Sequence, residues 1–230
     1  MNIAIIPARS GSKRIKNKNI KRFCKKPIIY WSIKAAIKSK VFKKIYVSTD
    51  SKKIANLSKK FGAEVPFLRS KKLSNNKAGT SAVIRNFIKN LDNKSKIINV
   101  CCIYPTAPFL KAADIRKGLN ILKTKKFNYV FTATKYTSNF HRSFTMNKKK
   151  QMKMLFKKNY NKRTQDLPNV FLDAAQFYWA PIKIWSMKKK VFNKFNKNST
   201  VVEIPKKRSC DIDTLEDWRH AEKLSRFNKI

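Results

Sequence analysis

Short, continuously apolar runs recur along this chain at intervals that a helix can fill. Ile3-Ala4-Ile5-Ile6 and the stretch from Ile97 to Ile103 have almost no polar position to turn toward solvent, so each is predicted to be a strand covered on both faces. Between such runs the apolar residues return every three or four positions, as in Ile29, Ile33, Ala36 and Ile37, or Val83, Ile84, Phe87, Ile88 and Leu91. Strands alternating with amphipathic helices predict βαβ units. The expected fold is therefore α/β, a three-layer, mostly parallel, Rossmann-like sheet with helices on both faces.

The punctuation fits that reading. A loop runs from Ala8 to about Lys26, and Pro27 suits the first turn of the next helix. Ile45 to Ser48 is a second strand, Asp50 or Ser51 can cap the helix carrying Ile54 and Leu57, and Phe61-Gly62 closes it. A third short strand is expected at Val65 to Leu68, and a helix opening at Thr80 or Ser81. The run ending at Ile103 meets Tyr104-Pro105-Thr106-Ala107-Pro108, where prolines forbid further pairing and turn the backbone outward. In open parallel sheets ligands bind at such strand ends. Later elements are a helix from about Asp114 to Lys123, strands at Tyr129–Lys135, Gln176–Ala180 and Val201–Ile204, and a last helix. That helix opens with Thr214 and Asp217 in a capping box and buries Leu215, Trp218 and Leu224. Residues 137–168 are irregular, with Met152, Met154 and Phe156 alternating as in an exposed hairpin, and read as a protruding arm on one domain spanning 1–230.

Lys and Arg number 55 against 12 Asp and Glu, a formal net charge of +43. Such a charge suggests nucleic acid or an anionic membrane. Yet the lysines are spread throughout, in short runs such as Lys148-Lys149-Lys150 and Lys188-Lys189-Lys190, without a basic tail or basic amphipathic helix. They read as solvated faces and not as a dedicated nucleic-acid surface, although a nucleoside triphosphate would still be attracted. No run approaches the ~18 apolar residues of a membrane span, and Met1-Asn2 leads straight into the first strand, so a cytoplasmic location is predicted. Cys24, Cys101, Cys102 and Cys210 form no CxxC pair and have no nearby histidine, which argues against zinc and against a disulfide framework. His141 and His220 lie outside any catalytic pattern.

Chemistry concentrates after the first strand. Pro7-Ala8-Arg9-Ser10-Gly11-Ser12-Lys13-Arg14 presents a glycine, two hydroxyls and three cations where the chain leaves the sheet. Amides of a Gly/Ser loop can approach phosphate oxygens while Arg and Lys neutralise charge; a solvated basic loop is the alternative. Neither a Walker spacing nor GxGxxG occurs. Near the other end, Asp211 and Asp213 are two apart, so in an extended segment both carboxylates point to one side and can share a divalent ion. Alternatively Asp213 joins Thr214 in capping the last helix.

The loop, followed by Lys18-Asn19-Ile20 and Lys26-Pro27-Ile28, resembles the N-terminal signature of the acylneuraminate cytidylyltransferases. The similarity continues in order through Val47-Ser48-Thr49-Asp50, Pro66-Phe67-Leu68-Arg69, Tyr104 to Phe109, Asp173 to Trp179 and Asp211-Ile212-Asp213-Thr214. Within that family, Cys101 to Phe109 and Asp173 to Trp179 look most like the pseudaminic acid branch; the neuraminic and legionaminic branches usually carry Gln before Pro-Thr and Asn-Gly near Asp173-Ala174-Ala175. The resemblance implies a nucleotidyltransferase that joins CTP to the anomeric hydroxyl of a nonulosonic acid, most like pseudaminic acid, and releases pyrophosphate. Rival readings are transfer to legionaminic, N-acetylneuraminic or 3-deoxy-octulosonic acid, or, from another class, a basic nucleic-acid-binding protein without activity.

The resemblance assigns roles residue by residue. Ala8, Arg9, Ser10, Gly11, Ser12, Lys13 and Lys18 match positions that hold the triphosphate, with Arg9 and Lys13 stabilising the transition state. Arg69 and Ser81 resemble positions near the nucleotide; a surface charge and an N-cap are their alternatives. Tyr104, Asp173 and Gln176 fall where the sugar sits, though Asp173 could equally be a turn residue. Asp211 and Asp213 would hold Mg²⁺, and Arg142 and Arg163 of the arm would reach the sugar carboxylate of a neighbouring subunit, implying a homodimer. Relatives commonly have Gly at position 25, Pro at 16 and an acidic residue near 75–76, where this chain has Lys25, Lys16 and Asn75-Asn76.

Overall fold

The computed structural model describes residues 1–92, 94–136, 140–187 and 196–228. The lysine run 188–190 and the first residues of the arm, 137–139, lie outside the described residues.

In chain order, β1 (Asn2–Pro7) is followed by a loop that carries the small hairpin β2 (Arg22–Phe23) and β3 (Lys26–Pro27). Then come α1 (Ile28–Ser39), β4 (Lys44–Ser48), α2 (Lys52–Lys60), α3 (Thr80–Lys89), β5 (Asn99–Ile103) and α4 (Ala112–Lys123). Beyond these are β6 (Tyr129–Tyr136), the hairpin β7 (Phe144–Met146) and β8 (Met152–Met154), β9 (Val170–Pro181), α5 (Ile182–Ser186), β10 (Ser199–Glu203) and α6 (Leu215–Asn228).

Six strands form the main sheet in the order β10-β6-β9-β5-β1-β4. β1 pairs in parallel with β4 and β5, as β10 does with β6, whereas β9 runs antiparallel to both its neighbours. The alternation of side chains along β1 explains the layering. Ala4 and Ile6 pack on one face with Ile29 and Ile33 of α1 and Ile115 and Leu119 of α4. Ile3 and Ile5 pack on the other with Ile84 and Phe87 of α3 and Trp185 of α5. A strand with both faces covered must be apolar throughout, which is the pattern its sequence carries.

A third apolar cluster lies beyond the sheet and matters for the site. Phe23, fully buried, meets Phe109 edge-on at 6.1 Å and Trp218 of α6 at 5.5 Å between ring centroids. Ile15 of the first loop and Ile212 of the Asp-Ile-Asp segment enter the same cluster at 2% and 0% exposure. Burying each such side chain is worth roughly 1.5–3 kcal/mol, so two segments about two hundred residues apart are held side by side.

Several sequence expectations need correction. No strand forms at Val65 to Leu68: pairing shrinks to one bridge between Tyr46 and Glu64, because Pro66 has no N–H to give and the Arg69 amide donates to Thr49 O, drawing the chain across the end of β4. The central strand begins at Asn99 and not at Ile97; Ile98 is 63% exposed. Ile37 and Leu215, expected inside, are 44% and 49% exposed. Ser51, and not Asp50, caps α2 by accepting from the Ile54 amide at 3.3 Å. Gly79, and neither Thr80 nor Ser81, takes the N-cap position of α3. The strand expected at Gln176–Ala180 is the inner part of β9, which also contains Asp173, so that residue begins no strand. The capping box at Thr214 and Asp217 is present, with the Asp217 amide donating to Thr214 Oγ1 at 3.2 Å and the Thr214 amide to Asp217 Oδ2 at 2.7 Å.

Candidate active site

A cavity of about 350 Å³ opens where β1 and β5 end, bounded by Pro7 and the loop after it, by Arg69, by Thr80 and Val83 of α3, by Tyr104 to Thr106, and by Asp213. The loop from Ala8 to Asn19 is fixed from several sides. Its start is an extension of the sheet, with the Ala8 amide donating to Ser48 O at 2.9 Å. Ser10 donates from its amide and its hydroxyl to the two oxygens of Asp50, at 2.8 and 2.6 Å. Burial alone would raise the Asp50 pKa, but these two bonds, helped by Arg69, hold it below its ordinary value. Asn19, 5% exposed, donates from Nδ2 to Arg9 O at 2.9 Å, and the Arg9 guanidinium donates to Asn76 Oδ1. The backbone around Arg9 is thus held before any ligand arrives, which limits the entropy a bound anion would have to remove.

Arg69 is the buried cation of the site, at 8% exposure. Burial lowers its pKa; Asp50 opposes that and Arg9 adds to it. Two guanidinium groups at one cavity wall with a single nearby carboxylate leave an excess of positive charge that an anion can neutralise. Also lining the cavity, the Tyr104 hydroxyl lies 3.3 Å from Thr80 Oγ1, and burial pushes its pKa up to about 12, so it serves as a neutral hydrogen-bonding group. Its ring lies 5.2 Å from that of Tyr178, whose hydroxyl donates to Asp173 at 3.0–3.1 Å.

Of the Asp-Ile-Asp segment Asp213 lines the cavity, whereas Asp211 does not. Lys18 donates from Nζ to Ile212 O at 2.6 Å and to Asp213 Oδ1 at 3.2 Å, and Arg14 Nη2 lies 2.9 Å from Asp213 Oδ2. Asp211 keeps an exposed edge, yet partial burial and then the Asp213 carboxylate push its pKa up. A carboxylate crowded by a second one two residues on is a donor that a hard divalent cation can take up.

Comparison with known proteins decides the family. A family model described as cytidylyltransferase matches residues 3–228. The chain belongs to the cytidylyltransferase family. Among its relatives, a pseudaminic acid cytidylyltransferase of Campylobacter jejuni is 36% identical over 99% of this chain and 97% of its own length. A CMP-N,N'-diacetyllegionaminic acid synthase of Legionella pneumophila is 33% identical over 99% of this chain and 97% of its own. Among solved structures, a CMP:2-keto-3-deoxy-manno-octonic acid synthetase complexed with CTP has the same fold, with a TM-score of 0.72, 12% identity and 98% of each chain covered.

In this cytidylyltransferase the cavity brings together Arg9, Ser12, Lys13, Lys18, Arg69, Tyr104 and Asp213 from distant parts of the sequence. Ala8, Ser10 and Gly11 support the same loop without lining the cavity, and Ser81 sits in the first turn of α3 beside Thr80, which does line it. Asp173 is reached through the Tyr104 and Tyr178 rings. Gln176 is 2% exposed, with Nε2 donating to Arg208 O at 2.6 Å and Oε1 without a hydrogen-bond partner among the described residues. Arg142 and Arg163 are apart from the cavity, on the exposed arm: Arg142 donates to Lys162 O at 3.1 Å and Arg163 pairs with Asp166 at 2.8 Å. Arg14, Asn19, Asn76 and Thr80 were not assigned from sequence. Arg14 and Asn19 lie within the motifs that carry the resemblance and Thr80 at an expected helix start; for Asn76 the sequence carries no signal beyond a polar loop.

None of the four cysteines forms a disulfide, and Cys101 and Cys102 are fully buried within β5. No helix among the described residues is long and apolar enough to cross a membrane.

Proposed function

We propose that this protein transfers CMP from CTP to the anomeric hydroxyl of a nonulosonic acid, pseudaminic acid, and releases pyrophosphate. The observation that carries the reading is the meeting of the basic loop and the Asp-Ile-Asp segment at one cavity, with Lys18 bonded to both Ile212 and Asp213. The choice of sugar is supported by the full-length similarity to a protein named for pseudaminic acid.

In this reading Arg9, Lys13 and Lys18 take the triphosphate and Arg69 with the start of α3 takes the nucleoside. Tyr104 and Asp173 define the sugar side, and Gln176, expected there from the sequence, is buried behind it with Nε2 on Arg208 O. The anomeric hydroxyl gives its proton to solvent as its oxygen forms a bond to the α-phosphorus, while the bond to the bridging oxygen of the β-phosphate breaks and the two phosphates leave together as pyrophosphate. Charge grows on the departing oxygens, and fixed cations placed there before reaction stabilise it without reorganising. Arg9, held through its own carbonyl by Asn19, is the residue best prepared for that.

The chain's residues also fit a magnesium ion. Mg²⁺ takes one or two carboxylates and completes its shell with phosphate oxygens and water, so the Asp211 and Asp213 pair suffices although no cluster of three potential ligands occurs among the described residues. When bound, it would neutralise phosphate charge beside Lys18.

The protein acts in the cytoplasm as a homodimer joined through the arm. Supporting this, Phe144, Met146, Met152, Leu155 and Tyr160 of the arm are 51–69% exposed, a density of bare apolar surface that isolated chains rarely keep. Light scattering of the wild type and of a Met146→Glu/Met152→Glu variant checks it; a monomeric wild type refutes it.

The functional test is pyrophosphate release from CTP across pseudaminic, legionaminic, N-acetylneuraminic and 3-deoxy-octulosonic acids, with and without Mg²⁺. Turnover of pseudaminic acid above the others supports the reading. Preference for another acid corrects the sugar, and no release with any of them rejects the activity.

A further inference from the structure

Away from the cavity, one pair of opposite charges is withdrawn from water. Asp114, in the first turn of α4, and Arg208, on the turn between β10 and α6, are 9% and 8% exposed. The guanidinium engages both carboxylate oxygens, Nη1 on Oδ2 and Nη2 on Oδ1, the latter at 3.2 Å. The backbone of Arg208 is held separately, its carbonyl accepting from Gln176 Nε2 at 2.6 Å. Arg208 is therefore tied to helix α4 through its side chain and to strand β9 through its main chain.

Stability alone does not account for this arrangement. Removing two charges from water is expensive, and apolar groups of similar volume commonly hold such elements together as well or better. What a guanidinium fork adds is a fixed direction and distance, because its planar donors match a carboxylate in one geometry. The position of the pair says what that geometry is for. Asp211 follows Arg208 by three residues, and on the far side Ile212 is fully buried against the cluster of Phe23 and Trp218. The segment bearing both site carboxylates is thus pinned at its base by Arg208 and at its middle by Ile212.

We infer that Asp114, Arg208 and Gln176 are positioning residues that hold Asp211 and Asp213 in register with the triphosphate loop, so that the two carboxylates receive a divalent cation in one geometry. The inference rests on the assignment of that pair as the cation site.

The test uses Mn²⁺ alone as probe, titrated into the intact protein without nucleotide and followed by the loss of the free-ion resonance signal. CTP binding in EDTA is measured by calorimetry, and melting temperature is recorded alongside. Asp114→Asn, Arg208→Lys and Gln176→Met should each weaken Mn²⁺ binding, by about tenfold or more for the first two, as expected when groups that orient ligands are removed. CTP binding in EDTA should stay within about twofold of wild type. A purely structural role would lower the melting temperature and leave the Mn²⁺ midpoint of the folded protein unchanged; that result overturns the inference, as does an equal loss of CTP binding. If the ion-pair variants fail to fold, Gln176→Met, which leaves both charges in place, decides alone. A wild type that takes up no Mn²⁺ removes the cation-site assignment and this inference with it, whereas uptake by wild type and variants alike removes only the inference.

Discussion

Replacing a glycine inside a helix by alanine ordinarily stabilises a protein by about 1 kcal/mol, since alanine loses less backbone freedom on folding. At Gly118, in the middle of α4, the opposite is expected. A Cβ there would lie 2.8 Å from Phe177 Cε2, 2.9 Å from Trp179 Cδ1 and 3.0 Å from Phe177 Cζ. Neither ring can retreat, because both residues are fully buried, Trp179 Nε1 donates to Ile115 O at 3.2 Å, and the indole stacks on Phe42 at 5.1 Å. Overpacking of this kind costs ~1–3 kcal/mol, which exceeds the propensity gain and leaves a net loss on the order of 1 kcal/mol. For a chain of this size that is a fall in Tm of ~2–4 °C. Asn120→Ala, exposed on the same helix, supplies the control and should gain ~0.5 kcal/mol. Calorimetric melting of the two variants beside wild type decides the matter. A Gly118→Ala protein that melts at or above wild type would refute the packing of α4 against β9 described above.

Arg9→Ala should lower kcat/KM for pyrophosphate release by ~10²–10³ while moving Tm by less than ~2 °C, since among the described residues its guanidinium hydrogen-bonds to Asn76 and its carbonyl keeps the bond from Asn19; full activity would sink the loop assignment. Lys25→Gly should raise stability by ~0.5–1 kcal/mol, visible as a higher Tm, because Cys24 and Lys25 close the β2–β3 hairpin at φ 49° and 68°, a conformation that disfavours side chains. Ser10→Ala should destabilise at neutral pH and progressively less in acid. The depressed Asp50 pKa makes its contribution present above the ordinary value of 3.8 and lost as pH falls through the folded value, so the gap between wild type and variant in Tm against pH must close in acid.

Most of the main sheet was legible because a strand covered on both faces can only be apolar, and Ile3 to Ile6 or Val100 to Ile103 admit no other reading. The fold reading missed where a local rule was overridden by a partner far away. Leu215 looked like a core residue by helical spacing, but the capping box turns it outward and leaves Trp218 to fill the core. β9 was seen only in its inner part, since the apolar run Val170-Phe171-Leu172 is short and is cut off from Phe177-Tyr178-Trp179 by Asp173, and Phe171 and Leu172 stay 42% exposed while pairing with β6. Within the site, Arg9 and Lys13 could be picked from a motif rich in cations after a strand, and Lys18 through the family resemblance. Asn19 and Asn76 could not, because an amide that props up another residue has no distinctive spacing. The Asp114 and Arg208 pair was invisible for the same reason: nothing local in either segment announces that the other lies against it.

The irregularity in β9 has a geometric result for the sugar side. Asp173 and Tyr178 are five residues apart, and in an evenly pleated strand an odd separation puts two side chains on opposite faces. They nevertheless touch, because Ala175 adopts φ 51° and the pairing with β6 shifts register between Phe131 and Ala133. The pairing passes from Phe131 opposite Tyr178 to Ala133 opposite Asp173, so β9 uses five residues where β6 uses two, and this odd excess of three reverses the parity of the strand midway along its length. An even pleat over the same five residues would carry the Asp173 carboxylate to the far side of the sheet, away from the tyrosine that now addresses it.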